Sequence, residues 1–265
     1  MLDLEFAQLS DSGKVRDHNE DYLGYFAPAG DDQARTHGWL FVLADGVGGH
    51  DRGEVASRLA VDTVVEGFRR ATRNESLTSL LPKLMQTANQ KVYETAHAAT
   101  GGSNMATTMV ACALRYDRAI VSHAGDSRCY LLRQGVAAAI TRDHTLSNDQ
   151  VRMGVVTQGE AAKSRHSNVL SRSLGGNMFL SVDTSENQVY PEDVLLLCSD
   201  GMHNSVEPQD IAKLAGGGGS LVTAAQELVA LAKERDGGDN ISVQLIRVRA
   251  VERVGMYRGR HYKLQ

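Results

Sequence analysis

The sequence predicts an α+β fold in which antiparallel sheets are sandwiched between layers of helices. Short apolar runs bounded by turn residues predict strands, and longer stretches with apolar residues at helical spacing predict helices. The predicted order is strands, two helices, many strands, two helices and a strand. Because the helices come in consecutive pairs, this order disfavours a Rossmann or TIM-barrel arrangement and favours sheets between helix layers.

The first half of the chain contains three predicted strands followed by two predicted amphipathic helices. The densely charged segment KVRDHNED leads into the second strand, and the glycine-bearing segment before the third is a plausible hairpin loop. The third strand is the run LFVLA, which ends abruptly on Asp45 and a glycine-rich turn. The first and third strands are predicted at 6–10 and 40–44, and the second begins at or just after Asp21. The hairpin loop is predicted at 28–37, and the helices at 53–71 and 77–99.

The second half is predicted to begin with a three-stranded antiparallel meander and to end on a single strand. Between them, residues 141–174 are polar, with only weak helical periodicity, which is typical of a functional flap. The meander covers 105–114, 119–123 and 128–133, further strands cover 180–189, 194–198 and 241–248, and helices cover 208–214 and 221–235. We expect one domain over 1–248 and a basic tail or linker over 249–265.

Composition and charge exclude several classes of protein. The 265 residues are 42% hydrophobic, enough for a substantial core, and the net charge of −4 offers no positive field for nucleic acid or an anionic membrane. Three widely spaced cysteines in apolar runs argue against a disulfide framework and indicate a reducing compartment. With no signal-peptide pattern at MLDLEF and no long apolar run, we expect a soluble, cytoplasmic protein with no membrane or nucleic-acid partner.

Acidic residues stand at the ends of several predicted strands. Asp45-Gly46 ends the third strand, Asp200-Gly201 ends the run VLLLC, Asp126 falls in a turn, and Asp239 precedes the last strand; Glu20 and Asp21 precede the second. If the sheets pack together these carboxylates converge, and they can stay ionised together only with compensating cations. Oxygen ligands without paired histidines or thiolates favour Mg²⁺ or Mn²⁺ over zinc. Two such ions sharing a carboxylate would support hydrolysis of a phosphate ester.

One arginine is a candidate phosphate-binding residue, and two apparent phosphate-binding motifs are incomplete. Arg16, close in sequence to Glu20 and Asp21, is a candidate for binding a phosphoryl group bidentately. Cys112 and Arg118 have the spacing of a cysteine-phosphatase loop, but the intervening ALRYD has no glycine to wrap a phosphate. The glycines at 46, 48 and 49 do not complete a GxGxxG motif either.

The motifs, taken together, resemble the metal-dependent protein phosphatase 2C family (PP2C or PPM), especially its compact bacterial members. The resemblance rests on eight motifs in the family's order: RDHNED at 16–21, LADGVGGH at 43–50, MATT at 105–108, HAGDSR at 123–128, RDHT at 142–145, LSRSLGG at 170–176, LLCSDG at 196–201 and GGDN at 237–240. It implies a four-layer αββα sandwich, two antiparallel sheets flanked by pairs of helices. It also implies hydrolysis of phosphoserine and phosphothreonine on proteins by a water activated between two divalent metal ions.

By matching position, the resemblance implies a role for each acid. Asp45 would bridge two Mn²⁺ or Mg²⁺ ions, with the Gly46 carbonyl helping to hold one. The first metal would also be bound by Asp200 and Asp239, and the second would be reached by Glu20, with Asp21 supporting the cluster.

The resemblance also assigns the substrate side of the site. Arg16 would hold the substrate phosphate, and Asp126 with Asp200 matches a weaker third metal site. The flap over 141–174 would influence substrate choice. The implied partners are phosphorylated proteins, including a Ser/Thr kinase and its substrates.

Two departures and two alternatives accompany this assignment. Some members of the family carry a histidine directly after the central Asp-Gly, and it acts as the general acid. This chain has Val47 at that position, with His50 nearby. The residue that would protonate the leaving group therefore stays unassigned. Ala106 replaces a more usual glycine, which we expect the strand to tolerate. The alternatives are a catalytically silent regulatory module and a two-metal phosphatase of small phosphate esters.

Overall fold

Two five-stranded antiparallel sheets stack face to face, and each is covered by helices on its outer side. The computed structural model describes residues 1–47, 52–98, 105–161, 169–257 and 260–263. The strands are β1 (Asp3–Asp11), β2 (Asp21–Phe26), β3 (Trp39–Asp45), β4 (Met109–Arg115), β5 (Arg118–Ala124), β6 (Arg128–Arg133), β7 (Val136–Ala139), β8 (Asp183–Gln188), β9 (Val194–Cys198), β10 (Ile241–Ala250), β11 (Val254–Tyr257) and β12 (Arg260–Lys263).

The helices lie between the strands in two main pairs. They are α1 (Asp31–Thr36), α2 (Gly53–Arg69), α3 (Leu77–Ala98), α4 (Leu146–Arg152), α5 (Gln158–Ala161), α6 (Asp200–His203), α7 (Pro208–Ala215) and α8 (Leu221–Arg235). One sheet has the strand order β1-β10-β9-β6-β7 and the other β2-β3-β4-β5-β8, with every neighbouring pair antiparallel. The predicted α+β sandwich of two antiparallel sheets between helix pairs is confirmed.

Alternation along the strands builds three buried layers. In β3, Leu40 and Val42 face the layer under α2 and α3, whereas Phe41 and Leu43 face the other sheet. The opposite sheet contributes Leu197 and Ile246 to this central layer, and α7 and α8 close a third layer on its outer side. Because successive residues of a strand point to opposite faces, a central strand such as β3 is apolar on both.

The predicted meander is wrong at its third strand. β4 and β5 form a hairpin, but β6 crosses to the other sheet and pairs with β7 and β9. β6 is apolar on both faces, since Cys129 packs between the sheets and Tyr130 packs toward α7 and α8, so it fits either sheet equally well. Asp126 therefore lies in a crossover between sheets and not in a hairpin turn.

Smaller differences concern short elements and the end of the chain. The predicted loop at 28–37 contains the helix α1, and β7 and α6 have no counterpart in the prediction. Beyond residue 248, β10 continues to Ala250 and β11 pairs with β12, where an irregular tail was expected. Glu252, 9% exposed, pairs with Arg35 at 3.1 Å. The domain boundary at 248 stays a prediction.

Within the described part of the chain, none of the helices has the length and apolarity needed to cross a bilayer.

Candidate active site

Strand ends from both sheets meet at one edge of the sandwich and form a cleft of about 510 Å³. Asp45 ends β3, Asp200 follows β9 at the start of α6, Asp239 lies just before β10, and Asp126 lies in the crossover before β6. These four carboxylates line the cleft together with Arg16, Gly46, Val47, Ala106, Thr108, Val169, Leu170 and Ser173. The structure thus brings together acids that lie up to about two hundred residues apart in the sequence.

Two threonines fix the end of β3. The Asp45 carbonyl accepts hydrogen bonds from the Thr107 hydroxyl and the Thr108 N–H, both at 2.8 Å, and the Asp45 N–H donates to the Thr108 hydroxyl at 3.2 Å. Thr108 in turn contacts the Ser127 hydroxyl at 2.6 Å, beside Asp126. The MATT motif therefore holds Asp45 and the Asp126 crossover together, a role that the sequence did not reveal.

Gly46 allows the backbone of the central strand to approach Glu20 and α2 closely. A Cβ at Gly46 would lie 2.6 Å from the carbonyl of Gly53 and 2.9 Å from the Glu20 Cβ. The Gly46 N–H donates to the Glu20 carbonyl at 3.1 Å, and Ser57 donates to the same oxygen at 2.6 Å. A Cβ at Gly53 would lie 3.0 Å from the Glu20 carboxyl carbon, so that carboxylate rests against the first turn of α2, where the helix dipole favours negative charge.

Asp21 stands behind the cleft and not in its lining. It is the Cα partner of Asp45 across the β2–β3 pair, is 7% exposed, and accepts a hydrogen bond from the Ser199 hydroxyl at 2.8 Å. Its other carboxylate oxygen is buried and accepts no hydrogen bond from the described residues. Ser199, which also accepts from the Ser242 N–H at 3.0 Å, is a second site residue that the sequence did not single out.

Burial and mutual repulsion disfavour the clustered acids as anions. Burial, followed by the charges of Asp21 and Asp200, raises the pKa of Asp45 well above its ordinary range. Burial also raises the pKa of Asp21 and of Asp126 to about 7, and burial with the charge of Asp239 raises the pKa of Asp200. A group of acids that folding crowds together in this way needs positive charge to stay ionised near neutral pH.

Arg16 supplies part of that charge at the mouth of the cleft. It donates to the Asp239 carboxylate at 2.8 Å, and this hydrogen bond raises its own pKa. Its side chain is 42% exposed and faces the solvent side of the cluster. One exposed arginine cannot neutralise four lining carboxylates.

The donor set fits hard divalent cations. Among the described residues, the cleft lining offers carboxylates, two hydroxyls and backbone carbonyls, with neither imidazole nor thiol. The unpaired buried oxygen of Asp21 is a further acceptor that requires a partner. Oxygen-only ligation of this kind suits Mg²⁺ and Mn²⁺.

A second cluster of possible ligands lies elsewhere and is already internally paired. His123, His144 and Asp183 have ligand atoms within 4.8 Å of one another. Arg172 donates to the Asp183 carboxylate at 2.7 Å, and His144 contacts that carboxylate at 3.1 Å and accepts from the Gly125 N–H at 3.2 Å. The guanidinium disfavours a cation at this position.

Several other sequence predictions can be located. Val169, Leu170 and Ser173 of the predicted flap line the cleft, whereas residues 162–168 and His50 lie outside the described residues. Cys112 is in the middle of β4 between the sheets, and burial raises the pKa of its thiol to about 12. It therefore cannot serve as an exposed phosphatase nucleophile.

Comparison with known proteins agrees with this geometry. The profile of the family "Protein phosphatase 2C" matches residues 17–234. The serine/threonine phosphatase stp of Listeria innocua is 33% identical over 254 residues, covering 95% of this chain and 96% of that relative. The protein phosphatase PhpP of Streptococcus pneumoniae is 30% identical over 251 residues, covering 92% of this chain and 97% of that relative.

Solved structures show the same fold. The serine/threonine phosphatase of S. agalactiae superposes with a TM-score of 0.82 at 32% identity, and the match covers 93% of this chain and 100% of that one. The catalytic domain of PstP, in complex with two manganese ions, gives a TM-score of 0.79 at 30% identity, with coverage of 94% and 100%. The chain therefore belongs to the protein phosphatase 2C family of metal-dependent serine/threonine phosphatases.

Proposed function

We propose that this protein removes phosphate from phosphoserine and phosphothreonine on proteins, using two divalent cations held in the acidic cleft. The observation that carries the proposal is the convergence of Asp45, Asp126, Asp200 and Asp239 on one cleft with Arg16 at its mouth. Family membership supports the reaction class.

The acids in and beside the cleft can be divided between two main metal positions and a weaker third one. We assign Asp45 to both, Asp200 and Asp239 to the first, and Glu20 with the Gly46 carbonyl to the second. Asp21 would hold the cluster from behind, and Asp126 with Asp200 would form a weaker third position. When bound, the cations would offset the negative charge and lower the pKa of a water near the substrate.

Arg16 would bind the substrate phosphate. Its guanidinium already points at a cleft carboxylate, at 2.8 Å from Asp239, and its exposure leaves it free to turn to a phosphoryl group. A planar guanidinium matches two phosphoryl oxygens and keeps its charge at any physiological pH. We propose direct attack by water without a phosphoenzyme, because the lining aspartates are assigned to the cations, which would activate that water.

This activity implies phosphoproteins as partners in general, and a kinase and its targets in particular. Relatives named as serine/threonine phosphatases or as protein phosphatases imply phosphoproteins as substrates. We further propose that these include a Ser/Thr kinase and its targets. A cytoplasmic location is also proposed, supported by three buried free thiols, Cys112, Cys129 and Cys198.

The test measures hydrolysis of p-nitrophenyl phosphate and of a phosphothreonine peptide with Mn²⁺, with Mg²⁺ and with EDTA. We expect activity only with metal, and a loss of more than ~100-fold in Asp45→Asn and Asp200→Asn, since each removes a charged ligand. Asp210→Asn is the matched control, because Asp210 pairs with Arg235 on the helix surface at 2.7 Å, outside the cleft. It should keep full activity.

Three outcomes would replace the proposal with another. No Mn²⁺ binding by calorimetry, together with no turnover of either substrate, would identify a catalytically silent regulatory module. Faster hydrolysis of sugar phosphates than of the phosphopeptide would identify a phosphatase of small esters. Activity that survives EDTA and disappears in Cys112→Ser would exclude metal-dependent hydrolysis altogether.

A further inference from the structure

Asn240 is a buried residue whose side chain ties three distant backbone groups together. It is 5% exposed and follows Asp239 directly, at the entry to β10. Its Oδ1 accepts a hydrogen bond from the Glu20 N–H at 2.8 Å, and its Nδ2 donates to the carbonyls of Ser12 at 3.1 Å and His18 at 3.0 Å. Both N–H groups of the amide therefore donate to the loop that connects β1 to β2.

That connection carries Arg16. Ser12 and His18 lie on either side of it, so the amide of Asn240 holds both ends of the segment that presents the guanidinium. Two further contacts fix the same segment: the Lys14 N–H donates to the Gly237 carbonyl at 2.8 Å, and a Cβ on Gly13 would lie 2.3 Å from the Asp239 carbonyl oxygen. The segment therefore lies directly along residues 237–240.

The Arg16 side chain itself has little support. It is 42% exposed, and its one ion pair among the described residues is with Asp239. A long, partly exposed side chain held by one ion pair depends on its backbone for its position, because little else restricts its rotamers. The position of the guanidinium in the cleft consequently depends on how firmly the segment from Ser12 to His18 is held.

We propose that Asn240 is a positioning residue that sets the location of Arg16 relative to its covalent neighbour Asp239. This rests on the proposed function, in which Arg16 binds phosphate and Asp239 binds metal. One amide then fixes the distance between the phosphate-binding group and the metal-binding group, which come from opposite ends of the chain. A displacement of about 1 Å in such a pair can reduce the rate about 100-fold.

The test compares Asn240→Ala with Gln244→Ala in the Mn²⁺-loaded enzyme. Gln244 is a matched control in β10, the strand that Asn240 precedes: it is 1% exposed, and its amide donates to the Gln8 side chain at 3.0 Å and to the Gly24 carbonyl at 3.1 Å. The probe is inorganic phosphate, as a competitive inhibitor of p-nitrophenyl phosphate hydrolysis. We expect both variants to unfold at lower urea concentration, but only Asn240→Ala to raise the Ki of phosphate and the KM, by about tenfold or more.

A double-mutant cycle with Arg16→Ala shows whether Asn240 acts through Arg16. If it does, Asn240→Ala should change the phosphate Ki less than about threefold in the Arg16→Ala background, since coupled residues are non-additive. Should Asn240→Ala fail to fold, Asn240→Asp keeps the size and the acceptor for Glu20 but loses both donors to the Arg16 segment, and the same rise is expected.

An unchanged Ki and KM in the Asn240 variant, or a full tenfold effect that persists without Arg16, would overturn the inference. Absence of metal-dependent hydrolysis in the wild-type protein would instead overturn the proposed function, so the two failures are distinguishable.

Discussion

Replacing Asp126 by asparagine should stabilise the metal-free protein, because the folded state disfavours this carboxylate as an anion. Asp126 is 8% exposed, and burial together with the charge of Asp200 raises its pKa from an ordinary 3.8 to about 7. Between these two values the unfolded chain is ionised while the folded protein keeps the proton. The stability that Asp126 contributes is therefore fully present below pH 3.8 and is lost as the pH rises through 7.

The size of the effect follows from the two pKa values. Each factor of ten in proton affinity corresponds to ~1.4 kcal/mol, so the wild-type protein loses ~4 kcal/mol in total by pH 8, of which ~1.5 kcal/mol is already lost at pH 5. The asparagine side chain at position 126 does not bind or release a proton in this pH range. Its advantage over wild type should consequently be ~2–3 kcal/mol larger at pH 8 than at pH 5, whatever the amide itself contributes at both pH values.

The assay is urea unfolding of both proteins in EDTA at pH 5 and pH 8. Asp193→Asn is the control, because Asp193 is equally buried but accepts hydrogen bonds from Arg133 at 2.8 and 2.6 Å and from the Tyr190 N–H at 2.8 Å. Removing that charge should destabilise the protein at both pH values. If Asp126→Asn behaved like the control, or its effect did not depend on pH, the acids would not be crowded as described.

Three further predictions concern other parts of the molecule. Burial and the charge of Arg128 lower the pKa of His203 from 6.5 to about 4, so protons bind the unfolded state preferentially and stability falls as the pH falls from 6.5 toward 4. His203→Gln removes this group, so the free energy of unfolding should fall by ~2 kcal/mol less between pH 7 and pH 5 than in the wild type. Urea unfolding in EDTA measures this, and an unaltered pH dependence would contradict it. Gly13 has a φ of +78° and no room for a Cβ beside the Asp239 carbonyl, so Gly13→Ala should destabilise the protein by ~1–3 kcal/mol and raise the KM for p-nitrophenyl phosphate; an unchanged KM would refute the link to Arg16. Cys112→Ala should leave kcat and KM unchanged, because the thiol is buried in β4 away from the cleft, and a tenfold loss of activity would count against that view.

Local patterns in the sequence were sufficient for the long elements and for the acids. The helix predicted at 221–235 matches α8, and the apolar run that ends on Asp45-Gly46 is β3. Acids next to the ends of apolar runs could be recognised because a strand end has a fixed position relative to its sheet. This placed Asp45, Asp126, Asp200 and Asp239 as candidates for one site, and the structure brings them to one cleft.

The features that sequence reasoning missed either depend on long-range pairing or are too short to show a period. β6 is apolar on both faces, so periodicity could not decide which sheet it joins. The helices α1 and α6 span 6 and 4 residues, too few to show a helical period. Asn240 and Ser199 bond to groups 220 and 178 residues away, and no local pattern reports such a bond.

The most direct measurement of the central claim is an anomalous-difference map from a crystal soaked in MnCl₂ and recorded at the manganese edge. The account predicts two strong peaks in the cleft, both next to Asp45, with one beside Asp200 and Asp239 and the other toward Glu20. Peaks confined to the His123, His144 and Asp183 cluster, or an empty cleft at saturating Mn²⁺, would contradict it.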